Sequence, residues 1–300
     1  MKSHIPSKTT LPLDVKQTLK QAVQILEKQK IPSAWLDAEV LLSFVLKKDR
    51  AYVLSHSEQN LNYPQLTKFN RLVTLRAQHY PVAYLLGKKD FYDLEFIITK
   101  DTLVPRPESE LLVQEAINAY NPKNNTLIID IGTGSGCLLL STVNELRKKN
   151  YKVNSIGLDI SKNALAIAKK NSKKIHSKNI SFFHSDLLSS LLKKLYLFKK
   201  ITRLIILANL PYLTPQEIAK ERSISQEPRL ALYGGHDGLD LYKKLAKQIN
   251  LLQKSYKNGI IIICEINPWQ RKNFQKIWNQ SVNFKKDLTG KIRIGVVNIK

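Results

Sequence analysis

The sequence predicts an α/β protein: a mostly parallel sheet covered by helices on both faces, preceded by a small helical bundle and joined to it by a β-hairpin. Three observations carry that expectation. Apolar residues repeat at three- and four-residue spacing from residue 14 to about 80. Beyond residue 125, short apolar runs alternate with helical stretches, as buried parallel strands alternate with crossover helices. A glycine-rich turn stands between the first such run and the first such helix. The 300 residues fit two domains at roughly 100–200 residues each.

In the first domain, Val15, Leu19, Val23 and Leu26 form one helical face, and Leu36, Ala38, Leu41, Leu42, Val45 and Leu46 form a second. A third runs from Tyr63 to Gln78 through Leu66, Phe69, Leu72 and Leu75. Pro32 and Pro64 mark helix starts or the loops just before them. At Pro81 the texture changes. Residues 83–102, with Tyr84-Leu85-Leu86-Gly87 and Phe91 to Thr99, are β-prone and read as a hairpin. Val104-Pro105-Arg106-Pro107-Glu108-Ser109-Glu110 then opens a helix to about Tyr120, its two prolines holding an extended approach. The domain boundaries expected are 1–80, 81–104 for the hairpin linker, and 105–300.

In the second domain, strands are expected at Thr126–Asp130, Asn154–Asp159, Ile180–Phe183, Leu204–Leu207 and Gly259–Glu265. Helices are expected at Gly136–Lys149, Lys162–Lys170 and about Leu239–Gln253. A 43% hydrophobic share with 24% charged residues excludes a disordered or fibrous chain. Cys137 and Cys264 sit in apolar segments and read as buried hydrophobes in a reducing compartment. No secretory signal is visible, and no apolar run exceeds five residues, as in Ile260–Cys264, so a cytoplasmic protein without a membrane span is expected.

The net charge of +24 is mostly Lys scattered in pairs, such as Lys169-Lys170 and Lys199-Lys200. That reads as compositional bias on solvated faces: weak non-specific nucleic-acid binding follows from the charge, but no nucleic acid is required. A monomer is the default oligomeric state.

Asp130-Ile131-Gly132-Thr133-Gly134-Ser135-Gly136 lies between a strand and a helix. Glycines let such a turn tighten and approach a ligand, and the helix N-terminus offers free N–H donors. The dinucleotide fingerprint wants Gly or Ala three residues after Gly134 and meets Cys137 instead. The G-x-G-x-G pattern after a strand-end acid resembles the nucleotide-binding loop of class I S-adenosylmethionine-dependent methyltransferases, which implies a Rossmann-like seven-stranded sheet and S-adenosyl-L-methionine as cofactor. Asp159 closes the second strand, where a carboxylate can accept from both ribose hydroxyls; it could also cap the following helix. After the third strand, the resemblance places Asp186 and Leu187 at the adenine, while His184 reads as a solvated strand end. No cluster has metal spacing, so no metal is expected.

Asn209-Leu210-Pro211-Tyr212 follows the fourth strand and resembles the motif of methyltransferases acting on planar amino groups. Such a nitrogen has its lone pair delocalised and nucleophiles poorly. The Asn209 side-chain oxygen and the Leu210 carbonyl can each accept one of its N–H bonds, Pro211 fixes the turn, and Tyr212 offers a stacking face. Asn209 is expected at the cofactor as well.

The resemblance narrows on Pro81 to Gly87, Phe91 to Phe96, Val104 to Glu110, Glu227 to Gly235 with Asp237-Gly238-Leu239, Asp37 to Leu42, and Asp287 to Gly290 with Arg293. These stretches look like the peptide chain release factor N5-glutamine methyltransferases, over nearly the whole chain. That family methylates the side-chain amide nitrogen of the glutamine in a Gly-Gly-Gln loop, so release factors are the implied partners. Arg106 is expected at the substrate entrance, or in a structural ion pair, and residues 1–80 as a docking module. Leu210 departs from the usual Asn-Pro-Pro-Tyr but keeps the carbonyl. Asn-Leu-Pro-Tyr also occurs in ribosomal RNA adenine dimethyltransferases, which is the alternative reading, although those enzymes carry their extra domain after the catalytic one. A silent fold is a third reading, against which intact Asn209, Pro211, Tyr212 and Asp159 argue.

Overall fold

The computed structural model describes residues 13–299 except Glu221. The chain divides into two compact units between Leu86 and Gly87.

The first unit is helical: α1 (Val15–Lys28), α2 (Ala34–Leu46), α3 (Arg50–Ser55), α4 (Tyr63–Ala77) and α5 (Val82–Leu86). The side chain of Asp14 caps α1 by accepting from the Gln17 N–H at 2.6 Å. Asn62 and Gln65 form a capping box on α4, with Pro64 in its first turn. Leu26, Leu41, Leu42, Leu61 and Phe69 are fully buried between the helices. Asp37 on α2 accepts from Arg76 on α4 at 2.7 Å and from the Ser33 hydroxyl at 2.9 Å, tying those helices together. The stretch at residues 82–86, expected in the hairpin, is helical instead. Val82, Leu85 and Leu86 pack on the helical core, and that packing outweighs the β propensity of the segment.

The second unit opens with the hairpin β1 (Lys88–Phe91) and β2 (Leu94–Ile97). Its two-residue turn, Tyr92-Asp93, has φ of 48° and 58°, the double left-handed geometry that matches strand twist. Then follow α6 (Glu110–Ala119), β3 (Thr126–Ile131), α7 (Cys137–Lys148), β4 (Asn154–Asp159), α8 (Lys162–Lys174) and β5 (Ile180–His184). The short helices α9 (Ser189–Leu192) and α10 (Pro215–Lys220), which the periodicity did not reveal, flank β6 (Arg203–Ala208). The chain ends in α11 (Asp240–Ser255), β7 (Gly259–Glu265), α12 (Arg271–Ile277), β8 (Val282–Lys286) and β9 (Ile292–Ile299).

The seven strands lie in the order β5-β4-β3-β6-β7-β9-β8. Five are parallel, and β9 runs antiparallel to both β7 and β8. The central strands are predominantly apolar because helices cover both faces; β3 is buried at every position, Thr126 and Asp130 included. The strand order reverses between β3 and β6, so their carboxyl ends diverge and leave a crevice there.

Candidate active site

A cleft of about 280 Å³ opens at the carboxyl ends of β3, β4 and β6. The loop after β3 forms its floor. Gly132, Gly134 and Gly136 have φ of 71°, 54° and 83°, values that any side chain would strain. The amides of Gly132 and Thr133 both donate to the Leu158 carbonyl, at 2.8 and 2.9 Å, and the Thr133 hydroxyl donates to Asp130 Oδ2 at 2.7 Å. Asp130 is 1% exposed and burial pushes its carboxyl up to about 7.

Asp159 lies at the cleft wall. Its Oδ2 accepts from the Gly134 N–H and its Oδ1 from the Ser161 N–H, both at 2.8 Å. The cap of α8 is Ser161, whose hydroxyl accepts from Ala164, so the helix-capping alternative for Asp159 gives way to a loop-holding contact. Burial raises the Asp159 carboxyl above its ordinary range, against the pull of those backbone amides. Each oxygen keeps a further lone pair.

Asp186 and Leu187 line the same cleft. Asp186 is paired with Lys244 of α11. Leu187 holds φ of 51°, a costly backbone for a Leu; the Ser185 hydroxyl braces it by donating to the Leu187 carbonyl at 2.7 Å. Cys137, expected to be buried, is partly exposed on the cleft wall, whereas Cys264 is buried.

Across the cleft, Asn209, Leu210 and Pro211 form the wall after β6. Asn209 Nδ2 donates to Ser109 Oγ and to Glu265 Oε2, each at 3.0 Å. Oδ1 is therefore the side-chain atom left for the cleft. Leu210 is 2% exposed, and its N–H points to the Tyr242 hydroxyl at 3.4 Å. The Tyr242 hydroxyl lies within reach of the carbonyls of Ala208 and Glu265 and shares its one proton between them, so it ties the end of β6 to β7. Tyr212 and Gly136 stand behind the lining rather than in it. The Tyr212 hydroxyl donates to Glu265 Oε1 at 3.1 Å, and burial with that carboxylate holds its phenol far above the usual range. Arg106 lines the cleft and forms an ion pair with the buried Glu227, which also accepts from the Val104 N–H at 3.1 Å.

The residues behind these walls had no structural role expected from sequence, although Gly234 and Gly238 lie in stretches that carry the resemblance. Gly234 and Gly238 lie so close to Pro211 and Tyr212 that a Cβ would sit 2.4 Å from the Pro211 carbonyl oxygen or 2.1 Å from that of Tyr212. Gln270, fully buried, donates to the Tyr212 carbonyl at 3.0 Å. Asn171, also fully buried, holds Ile97 of the hairpin by both backbone groups and donates to the Ser135 carbonyl at 2.9 Å. Asn171 stands among Lys169, Lys170, Ser172, Lys173 and Lys174, so its burial has no local signal. Nothing local marks Gln270. Among the described residues there is no group of metal-binding side chains, and no helix long and apolar enough to cross a membrane.

Residues 17–87 match the PrmC N-terminal domain family, and residues 122–294 match a methyltransferase domain family. The release factor glutamine methyltransferase of Buchnera aphidicola subsp. Acyrthosiphon pisum is 34% identical over 78% of this chain and 80% of its own. That of Dictyoglomus turgidum is 35% identical over 84% of each chain. That of Koribacter versatilis is 31% identical over 95% of this chain and 98% of its own, a span that takes in both units.

Proposed function

The chain belongs to the release factor glutamine methyltransferases, and from that premise we propose that it methylates the side-chain amide nitrogen of the glutamine in the Gly-Gly-Gln loop of peptide chain release factors. The observation that carries the reading is the Asn209 amide. Its NH2 is committed to Ser109 and Glu265, so an acceptor oxygen remains for a donor in the cleft. The relatives' shared name supports glutamine over the ribosomal RNA adenine alternative. The same reading places the reaction in the cytoplasm, with the release factor as partner.

The cleft suits S-adenosylmethionine. Gly132, Thr133, Gly134 and Ser135 form a floor in which no side chain intrudes on the glycine positions, and Asp159 keeps free lone pairs for a ribose. Asp186 and Leu187 flank the place for an adenine. When bound, that group supplies a sulfonium-activated methyl. The chain's own residues do the rest. Asn209 Oδ1 and the Leu210 carbonyl accept the two N–H bonds of the substrate amide and hold its nitrogen towards the methyl. Tyr212 fixes the turn through Glu265. The methylated nitrogen becomes cationic and sheds its proton to water without a strong base.

Labelled S-adenosylmethionine offered in parallel to release factor and to ribosomal RNA tests the assignment. Label in the Gly-Gly-Gln peptide is expected, and label in the RNA alone would overturn it. Leu210→Pro keeps the carbonyl and loses only the long N–H contact to Tyr242 and some packing. Single-turnover transfer should stay within about threefold, with a modest loss of melting temperature.

The helical unit docks the protein substrate. It carries no residue with a chemical role, and its helices are held by their own core. A chain starting at Gly87 keeps the whole cleft. It should bind cofactor normally by calorimetry and methylate intact release factor about tenfold more slowly. Full activity on intact release factor would remove the docking role.

A further inference from the structure

Glu265 sits at the end of β7, 2% exposed, and forms no ion pair among the described residues. A buried carboxylate is costly. This one is met by three neutral donors: Ser109 Oγ at 2.6 Å and Asn209 Nδ2 at 3.0 Å on Oε2, and the Tyr212 hydroxyl at 3.1 Å on Oε1. A neutral or apolar side chain would fill the same space at lower cost to the fold. The two residues it holds besides Ser109 both belong to the turn after β6.

A side-chain amide is nearly symmetric in shape, so packing alone does not decide which end of Asn209 faces the cleft. The carboxylate decides it. Burial raises the Glu265 carboxyl, while the Ser109 and Tyr212 hydroxyls and the charge of Arg293 favour its ionised form. As a carboxylate it only accepts, and turning Asn209 over would set Oδ1 against Oε2 at hydrogen-bond distance with no proton between them. Ser109 completes the lock, donating to Oε2 while accepting from Asn209.

We infer that Glu265 is a positioning residue that selects the substrate's chemistry: by fixing Asn209 with its oxygen outward, it makes the cleft a pair of acceptors for an N–H2 donor. This rests on the reading of the substrate as an amide. Ser109 is the second member of the lock. The Glu265→Gln amide has one acceptor oxygen for three donors, so either Asn209 and Ser109 or Tyr212 must face its NH2. The orientation of Asn209 is then no longer imposed.

The test is a double-mutant cycle on the full chain together with NMR of the Asn209 side-chain amide, assigned by its loss in Asn209→Ala. Glu265→Gln should lower single-turnover transfer about tenfold, leave cofactor affinity and the release factor KM within about threefold, and keep or raise the melting temperature. In the Asn209→Ala background it should add less than about twofold. The amide protons of Asn209 should shift and exchange faster in Glu265→Gln without any substrate present. An unchanged amide signal, additive rate losses, or a rate loss that tracks a fall in melting temperature would overturn the inference. If Glu265→Gln does not fold, Ser109→Ala carries the same test, with about a fivefold loss expected and the same non-additivity. Should the unmutated chain fail to methylate release factor, the functional reading falls while the amide signal still judges the role of Glu265.

Discussion

Asn209→Ala should lower single-turnover methyl transfer to release factor by about 10²–10³-fold, equivalent to roughly 2.7–4 kcal/mol, the usual cost of one positioned interaction in a water-excluded site. The substitution does two things. It removes the acceptor that holds one N–H of the substrate amide, so the nitrogen can rotate away from the methyl. It also leaves Ser109 Oγ and Glu265 Oε2, each bonded to Asn209 at 3.0 Å, short of a partner. The cofactor contacts of Gly132 to Ser135 and Asp159 on the opposite wall are untouched, so affinity for S-adenosylmethionine should fall far less than the rate. The rate is read at saturating cofactor and enzyme excess, which isolates the chemical step. Transfer within threefold of the parent would mean that the amide is held elsewhere.

Asp159→Ala should weaken cofactor binding by about 10- to 150-fold, or roughly 1.5–3 kcal/mol, through the loss of hydrogen bonds from a ribose to a charged acceptor. The geometry adds a second loss. The same carboxylate holds the Gly134 and Ser161 amides at 2.8 Å, so Ala also loosens the glycine loop that forms the floor. Asp159→Asn keeps one acceptor oxygen and should fall between parent and Ala. Calorimetric titration with S-adenosylmethionine separates the three, and an unchanged affinity in Asp159→Ala would take the ribose assignment away.

Two kinds of residue behave differently in these expectations. Gly132 to Ser135 and Asp159 could be placed at the cleft from sequence because their signal is local: a strand, a turn needing positive φ, a helix start, and a second strand ending in an acid. Asn209 to Pro211 were legible for the same reason, directly after the apolar run of β6, whereas Tyr212, expected to offer a stacking face, lies behind the wall against Glu265. Residues 82–86 misled because five apolar residues suit either period. Packing on the helical core made them a helix.

What the sequence by itself determined is the parallel sheet, the alternation of its main strands and helices, and most of the residues facing the cleft, since each follows from periodicity or from a turn's backbone demands. Only the tertiary structure decided which way those residues point. Ser109 precedes Asn209 by 100 positions and Glu265 follows it by 56, yet the sheet order β3-β6-β7 brings β6 beside β7 and sets their carboxyl ends together. Along the chain, Glu265 is one acid closing an apolar strand, no different from any strand end meeting water. Buried beside Asn209 and Tyr212, it has no water to satisfy it and must take its hydrogen bonds from them, and that demand orients the amide on which the chemistry depends.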